Sequence, residues 1–342
     1  MRSLFFVLQI TLITLAIVIV AGCDSSTNSP SDTESVSYLR DTANVDYKGK
    51  NNVVFYDFST GTRTIRSHDG WDLAFDTNRS VIANSGEYGY CVLVCSTGID
   101  SIGMDFSSWK DSLDLSVDDG WFRLLSEESN PLGLNYRQGS GMGSTYTNNV
   151  YLIRTEDQRF YKVQITGSLP MGAGLRMRID SLDGNGAVED TFETNSAYDY
   201  VYLDLETKST VDFAPKKDAW DIKFGRTGEF IMDAMTSGRS SISINKTGGV
   251  QTAIVDAEDL SDVTGVLDCT FSDDLLTIGH NWYSYNRTDK IYELAQKVYI
   301  FETTEGNYAK MKIYTFKGPN DENFWADFDY HYQADGATAF SK

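Results

Sequence analysis

At 342 residues and 41% hydrophobic, the chain has enough apolar material for two cores of ordinary size. With 29 basic against 49 acidic residues its formal net charge is -20, which repels polyanions and excludes nucleic acid as a ligand. Its 3 histidines, at positions 68, 280 and 331, stand far apart, and no HExxH or CxxC spacing is present, so the sequence holds no metal-ligand motif.

The chain opens on Met1-Arg2-Ser3, a short positive start, followed by a run from Leu4 to Val20 that is apolar apart from Gln9, Thr11 and Thr14. The run stops at Val20-Ala21-Gly22-Cys23, which resembles the lipobox of bacterial lipoproteins. That resemblance implies a signal peptide over 1–22, cleavage before Cys23 and acylation of its thiol. An uncleaved anchor would also be long enough to cross a bilayer, but small residues followed by cysteine are what lipidation needs. Residues 23–50 are rich in Ser, Thr, Asn and Asp and are expected to be a flexible tether with little to bury.

Past the tether the sequence states one pattern twice. Phe55-Tyr-Asp-Phe-Ser-Thr-Gly-Thr62 leads into Gly70-Trp-Asp-Leu-Ala-Phe-Asp76, and Val201-Tyr-Leu-Asp-Leu-Glu-Thr-Lys208 leads into Ala219-Trp-Asp-Ile-Lys-Phe-Gly225. A later anchor, Val150 to Ile165, recurs as Val298 to Ile313; Trp71 and Val150 stand 79 residues apart, Trp220 and Val298 78 apart. A period this long points to two tandem domains and excludes a solenoid of short units. In the first WD segment Trp71, Leu73 and Phe75 alternate with Asp72, Ala74 and Asp76, which predicts a half-buried strand with the three apolar residues on one face. The second repeats it with Trp220, Ile222 and Phe224. Each later anchor reads as a hairpin turning on a short polar segment, Glu156 to Arg159 and Thr304 to Asn307. Each repeat then closes on another alternating run, Leu175 to Ile179 and Phe324 to Tyr330. Helical periodicity past residue 40 is confined to Asp105–Leu113 and Ala257–Val263, each a turn or two at most.

These signals predict an all-β chain of two antiparallel β-sandwich-like domains related by internal duplication, spanning 51–182 and 198–342. The polar stretch 183–197 is expected to link them; its Asp183-Gly-Asn-Gly start is a poor calcium loop, because Ala187 stands where an oxygen ligand is wanted. Cys91 and Cys95, on one face of a strand, would lie about 13 Å apart, too far for a disulfide. Either could pair with Cys269 outside the cytoplasm, or all three could remain thiols.

Signs of catalysis are missing. There is no GxSxG elbow, and the glycine-rich Gly139–Ser144 opens no helix, so it lacks the context of a phosphate loop. The acidic pairs Asp118-Asp119 and Asp273-Asp274 read as solvated loops in so acidic a chain. The expectation is a binding protein and no enzyme.

The lipobox and tether, the Y-x-F/L-x-T/S strand, the WD-[LIM]-[AK]-F strand, the Trp282-Tyr-Ser-Tyr285 strand and the closing VY-hairpin-K-[VM]-x-I unit together resemble the HmuY family of haem-binding lipoproteins, once per repeat. The resemblance implies a lipid-anchored protein at the outer membrane or cell surface of a diderm bacterium. It would carry haem or a related tetrapyrrole and pass it to an outer-membrane receptor. The family's haem-binding members hold iron with His or Met from loops before the closing hairpin. In the first repeat the corresponding stretch, Tyr136 to Ser144, offers Met142; in the second, Asn286 and Arg287 stand there, and His280 precedes the Trp282 strand. Met142 and His280 are therefore the candidate haem ligands, and Tyr283 and Tyr285 the candidate stacking residues. Met232 and Met235, in the loop expected after the second WD strand, read as packing residues. The competing reading is a surface protein whose β-domains bind carbohydrate or another protein, or act as a scaffold without the haem site.

Overall fold

A computed structural model describes residues 38–45, 52–84 apart from 79, 92–105, 121–122, 137–138, 145–146 and 148–340 apart from 156, 183, 185, 232–233, 287 and 319–322. Cys23, Cys91, Met142, Met232, the acidic pair at 118–119 and the apolar run before Cys23 lie outside these residues. Among the described residues no helix is long and apolar enough to cross a membrane.

The elements are strands, with brief 3-10 turns that include His68–Gly70 and Leu260–Asp262. The first half runs β1 (Leu39–Asn44), β2 (Asn52–Asp57), β3 (Thr62–Ser67), β4 (Leu73–Phe75), β5 (Val81–Ala83), β6 (Leu93–Ser96), β7 (Trp121–Phe122), β8 (Arg137–Gln138), β9 (Thr145–Tyr146), β10 (Val150–Arg154), β11 (Phe160–Ser168) and β12 (Gly174–Ser181). The second runs β13 (Val188–Glu193), β14 (Val201–Asp204), β15 (Ser209–Val211), β16 (Ile222–Ile231), β17 (Ala234–Ile244), β18 (Gln251–Val255), β19 (Tyr283–Asn286), β20 (Ile291–Leu294), β21 (Val298–Glu302), β22 (Tyr308–Lys317) and β23 (Asn323–Gln333). The expected all-β class and the antiparallel hairpins of both later anchors are present. Met235 is a correction, since it lies on β17, in a long hairpin with β16 where a loop is expected.

The strands do not sort by repeat. One sheet has the order β13-β12-β11-β10-β6-β7, a second β15-β14-β4-β5, a third β1-β23-β22-β21-β18 and a fourth β17-β16-β2-β3. The first repeat's β2 pairs with β16, placing Tyr56 opposite Ile222. The second repeat's β14 pairs with β4, placing Leu203 opposite Leu73. At the edges β1 pairs with β23 and β13 with β12. Each repeat thus gives its first three strands to the other. The stretch 183–197, expected to be a linker, contains β13, and the sheet pairings cross the expected boundary between 51–182 and 198–342 in both directions.

Twin hydrogen bonds fix this exchange. Asp221, of the second WD pair, accepts the Phe58 N–H at 2.9 Å, and Asp72, of the first, accepts the Leu205 N–H at 2.9 Å. The matching turns are closed alike: Asp57 accepts the Ser59 N–H at 2.8 Å and Asp204 the Glu206 N–H at 2.8 Å. Their left-handed residues, Gly61 and Lys208, have φ of 65° and 54°, and glycine holds that conformation at lower cost. Asn84 donates to the His68 and Trp71 carbonyls, as Asn245 does to those of Lys217 and Trp220.

Period-2 burial then builds three packed layers. Val54 and Tyr56 of β2 enter a core with Ile222, Phe224, Phe301 and Phe328. Leu203 and Leu205 enter one with Leu73, Phe75, Tyr151 and Ile179. The opposite faces of the same strands meet in a third: Val53 and Phe55, Ala74, Ile82, Phe213, Trp71 and Trp220. Here the alternation expected for the WD segments fails. Trp71 and Trp220 leave the face of Leu73 and Ile222 because the strands begin only after each Asp. The bend at Asp72 and Asp221 turns each indole toward the junction. Residues 37–341 form one compact unit as a result.

The closing-strand lysines are buried for a structural reason. Lys162 Nζ donates to the Gly184 carbonyl at 2.9 Å and lies 3.3 Å from Asp180. Lys310 Nζ donates to the Leu260 and Val263 carbonyls at 2.8 Å each, 4.7 Å from the Phe340 ring centre, and burial pushes its pKa down to about 8. Each ammonium ties its sheet to the loop that covers it.

His68 locks the junction from the first repeat. Its Nε2 accepts the Arg226 N–H of β16 at 3.0 Å, and Gly225 leaves it room, since a Cβ there would stand 3.3 Å from Nε2. Burial, with the positive charges of Lys223 and Arg226, holds its pKa well below the usual imidazole range. The unfolded chain protonates near pH 6.5 while the fold does not, so this residue's contribution is lost as pH falls. Urea titration of wild type and His68→Gln should show the wild type losing about 2 kcal/mol more than the variant between pH 7 and 5. Parallel pH curves would show that the imidazole is not held neutral.

Candidate functional site

Two places combine accessible aromatic surface with polar groups. The first is a cleft at the junction layer, with a volume of about 660 Å³. Phe55, Trp71, Phe213 and Trp220 form its buried side, where rings meet edge-on or tilted at 5.0–5.8 Å. Tyr200 and Tyr202, half-buried, line it from the second repeat. The sequence places these residues here by the same device that makes the exchange: β14 lies beside β4 and β2 beside β16, so both WD indoles converge. Asp76, Asp199, Asp273 and Asp274 face the cleft against Lys223 and Lys246. Burial raises the Asp199 pKa against a hydrogen bond from Thr247 and the charge of Lys217.

The second is the short β19–β20 hairpin, where Tyr283 lies opposite Leu294 and Tyr285 opposite Tyr292. Its rings form one cluster on the Phe316 side chain of β22: Tyr292 stacks on Phe316 at 4.1 Å and 20°, and Tyr283 lies 4.4 Å from Phe316. Trp282 is buried beneath and lies 4.8 Å from Tyr283. Tyr285, 47% exposed, is 4.9 Å from Tyr292, so its ring offers an open face on a preorganised aromatic support. His280 stands exposed in the turn just before this hairpin.

Residues 49–172 match the family model described as HmuY protein. This stretch belongs to the HmuY family. The HmuY match begins before β2 and runs past β11, so it includes strands of both sandwiches. Similar solved structures include the apo HmuY analogue of Tannerella forsythia, 8% identical, with a TM-score of 0.31, covering 88% of this chain and 98% of that one. Apo PinO from Porphyromonas gingivitis is 12% identical, with a TM-score of 0.28, covering 87% and 98%. A Bacteroides vulgatus protein provisionally described as HmuY-like and heme-binding is 14% identical, with a TM-score of 0.22, covering 38% and 82%. No curated protein matches the chain.

Of the residues singled out from the sequence for a HmuY-type site, His280 lies in the exposed turn before β19, and Tyr283 and Tyr285 lie on β19. Met142 lies outside the described residues. The other histidines stand elsewhere: His68 at the junction, and His331 on β23, edge-on to Tyr38 and Phe340 and within 3.4 Å of Gln333. Cys269 is a free thiol and does not staple the repeats together; burial pushes the Cys95 pKa up to about 11. Sequence reasoning missed the junction cleft, although the two tryptophans that build it were its strongest repeat signal.

Proposed function

We propose that this protein is a lipid-anchored cell-envelope binder of the HmuY type, tethered through Cys23 at the outer membrane or cell surface. It holds haem or a related tetrapyrrole for delivery to an outer-membrane receptor. Its ligand lies against the β19–β20 hairpin, with Tyr285 and Tyr283 as the stacking surface and His280 as the axial donor. The observation that carries this reading is the HmuY family match together with an exposed imidazole immediately before an exposed aromatic platform. The donor chemistry fits haem at His280: of the three imidazoles, it is the one that is solvent-exposed, and a single imidazole suffices as a proximal ligand. Met142 is the sulfur donor the first repeat could add.

Haem supplies the iron to be bound, while the protein supplies a flat apolar face and one nitrogen ligand. Haemin added to the protein is expected to give a shifted, sharpened Soret band at saturable stoichiometry. His280→Ala should abolish the shift, and Tyr285→Ala should weaken binding about fivefold, as loss of one aromatic contact of about 1 kcal/mol implies. Met142→Ala reports whether the first repeat takes part. Absence of any shift with both oxidised and reduced haem would sink the proposal.

A further inference from the structure

The junction cleft is separate from the haem platform and has different chemistry. Its volume of about 660 Å³ is within the range of small-molecule sites, and it exists only because the repeats exchange strands. Four carboxylates face it against two lysines, one of which, Lys246, stands 3.5 Å from Asp273 at the exposed rim. Such a surplus of negative charge repels a dianionic porphyrin and attracts a cation.

Two buried polar atoms mark the interior as incomplete. Trp220, 7% exposed, lines the cleft, and its indole N–H has no hydrogen-bond partner among the described residues. Asp199 Oδ1 is likewise buried without one, although the same carboxylate takes a hydrogen bond from Thr247. Buried donors and acceptors are rarely left unmatched, and where they are, an unrecorded partner is the usual reason. Beside them Tyr200 and Tyr202 line the cleft, with ring centroids 6.1 Å apart and Tyr202 backed by Trp71 and Phe213 at 5.0 Å each, and Asn78, Ser243 and Thr247 add neutral polar groups.

We infer that this cleft is a second binding site, taking an amine-bearing sugar whose ring stacks on the tyrosines and whose ammonium is received by Asp199 and the rim carboxylates. The tyrosine faces suit the apolar C–H face of a pyranose, the small polar side chains suit its hydroxyls, and the net charge selects the amine. Neither repeat could form the site alone, since Asp76 and Trp71 come from one and Asp199, Tyr200 and Trp220 from the other.

The test is calorimetric titration of the full chain with the disaccharide of glucosamine, its di-N-acetylated form and digalacturonic acid. The cationic disaccharide should bind saturably, about tenfold tighter than the neutral form, with no heat from the acid. Asp199→Asn should weaken it about tenfold, and Asp274→Asn, an exposed rim change that leaves the core untouched, about threefold, while haemin titrations stay unchanged in both. Equal or tighter binding of the acid, affinity unmoved in both variants, or no saturable heat with either glucosamine sugar would each overturn the assignment, leaving the haem reading to stand or fall by its own spectrum.

Discussion

Replacing Phe58 by alanine is expected to destabilise the sandwich of the second repeat by about 3–5 kcal/mol, although the residue belongs to the first. Phe58 is 1% exposed and packs 5.0 Å from Phe301, 5.4 Å from Tyr330 and 5.4 Å from Tyr56. Truncation removes a large buried ring and leaves a cavity among residues that cannot collapse, since Phe301 and Tyr330 are anchored in β21 and β23, the strands on either side of β22. A double-mutant cycle in urea reads the partner directly. Phe58→Ala with Phe301→Ala should couple by about 0.5 kcal/mol or more, and Phe58→Ala with Phe75→Ala, in the other core, should be additive. Coupling to Phe75 in place of Phe301 would mean that each hairpin stays with its own repeat.

That exchange was not legible in the sequence, and the reason is physical. Period-2 alternation assigns each residue to a face, but says nothing about which strand lies alongside. The segment Val53-Val-Phe-Tyr56 can lie beside Leu73-Ala-Phe75 or Ile222-Lys-Phe224 with the same pattern satisfied. Both WD pairs offer an aspartate to the following turn, so even the polar closure is degenerate. Between identical partners the choice is left to connection geometry: Ser67 is followed by one 3-10 turn before Trp71, and that turn inserts His68 against β16.

Other parts were readable. The duplication, the all-β class and the hairpins at Val150 and Val298 followed from spacing and alternation, and each closing run became a strand. The edge strands β1 and β13 were missed because Leu39 to Asn44 and Val188 to Glu193 bury little; their burial patterns are mostly exposed or intermediate. One signal was available: Asp41-Thr42 and Asp190-Thr191 recur 149 residues apart, and in both the aspartate accepts the threonine N–H at 2.7 Å. At the candidate sites, sequence could name Tyr283, Tyr285 and His280 because they are contiguous. The cleft needed Trp71, Tyr200 and Trp220 together, and only the exchanged pairing brings them there.

The exchange also predicts what removal of the two WD aspartates costs. Asp221 Oδ2 accepts the Phe58 N–H, while Oδ1 accepts the Thr304 N–H at 2.9 Å and its hydroxyl at 3.1 Å. Asp72 has the Leu205 N–H as its corresponding bond to the exchanged turn. Asp221→Ala orphans two backbone donors and should cost about 2–4 kcal/mol at pH 7; Asp72→Ala orphans the Leu205 N–H and should cost about 1 kcal/mol or more. Burial pushes both carboxyl pKa values up to about 6 against these hydrogen bonds. A raised carboxyl pKa favours the fold most when protonated, so this contribution is complete below the unfolded value near 4 and is lost as pH rises through about 6. The cost of Asp221→Ala should therefore grow by about 2 kcal/mol between pH 7 and 4.5, opposite in sign to the His68 effect. Chemical denaturation of both variants at the two pH values measures this. No cost for either aspartate at pH 7, or a cost for Asp221 that shrinks on acidification, would show that they do not hold the exchanged turns in the manner described.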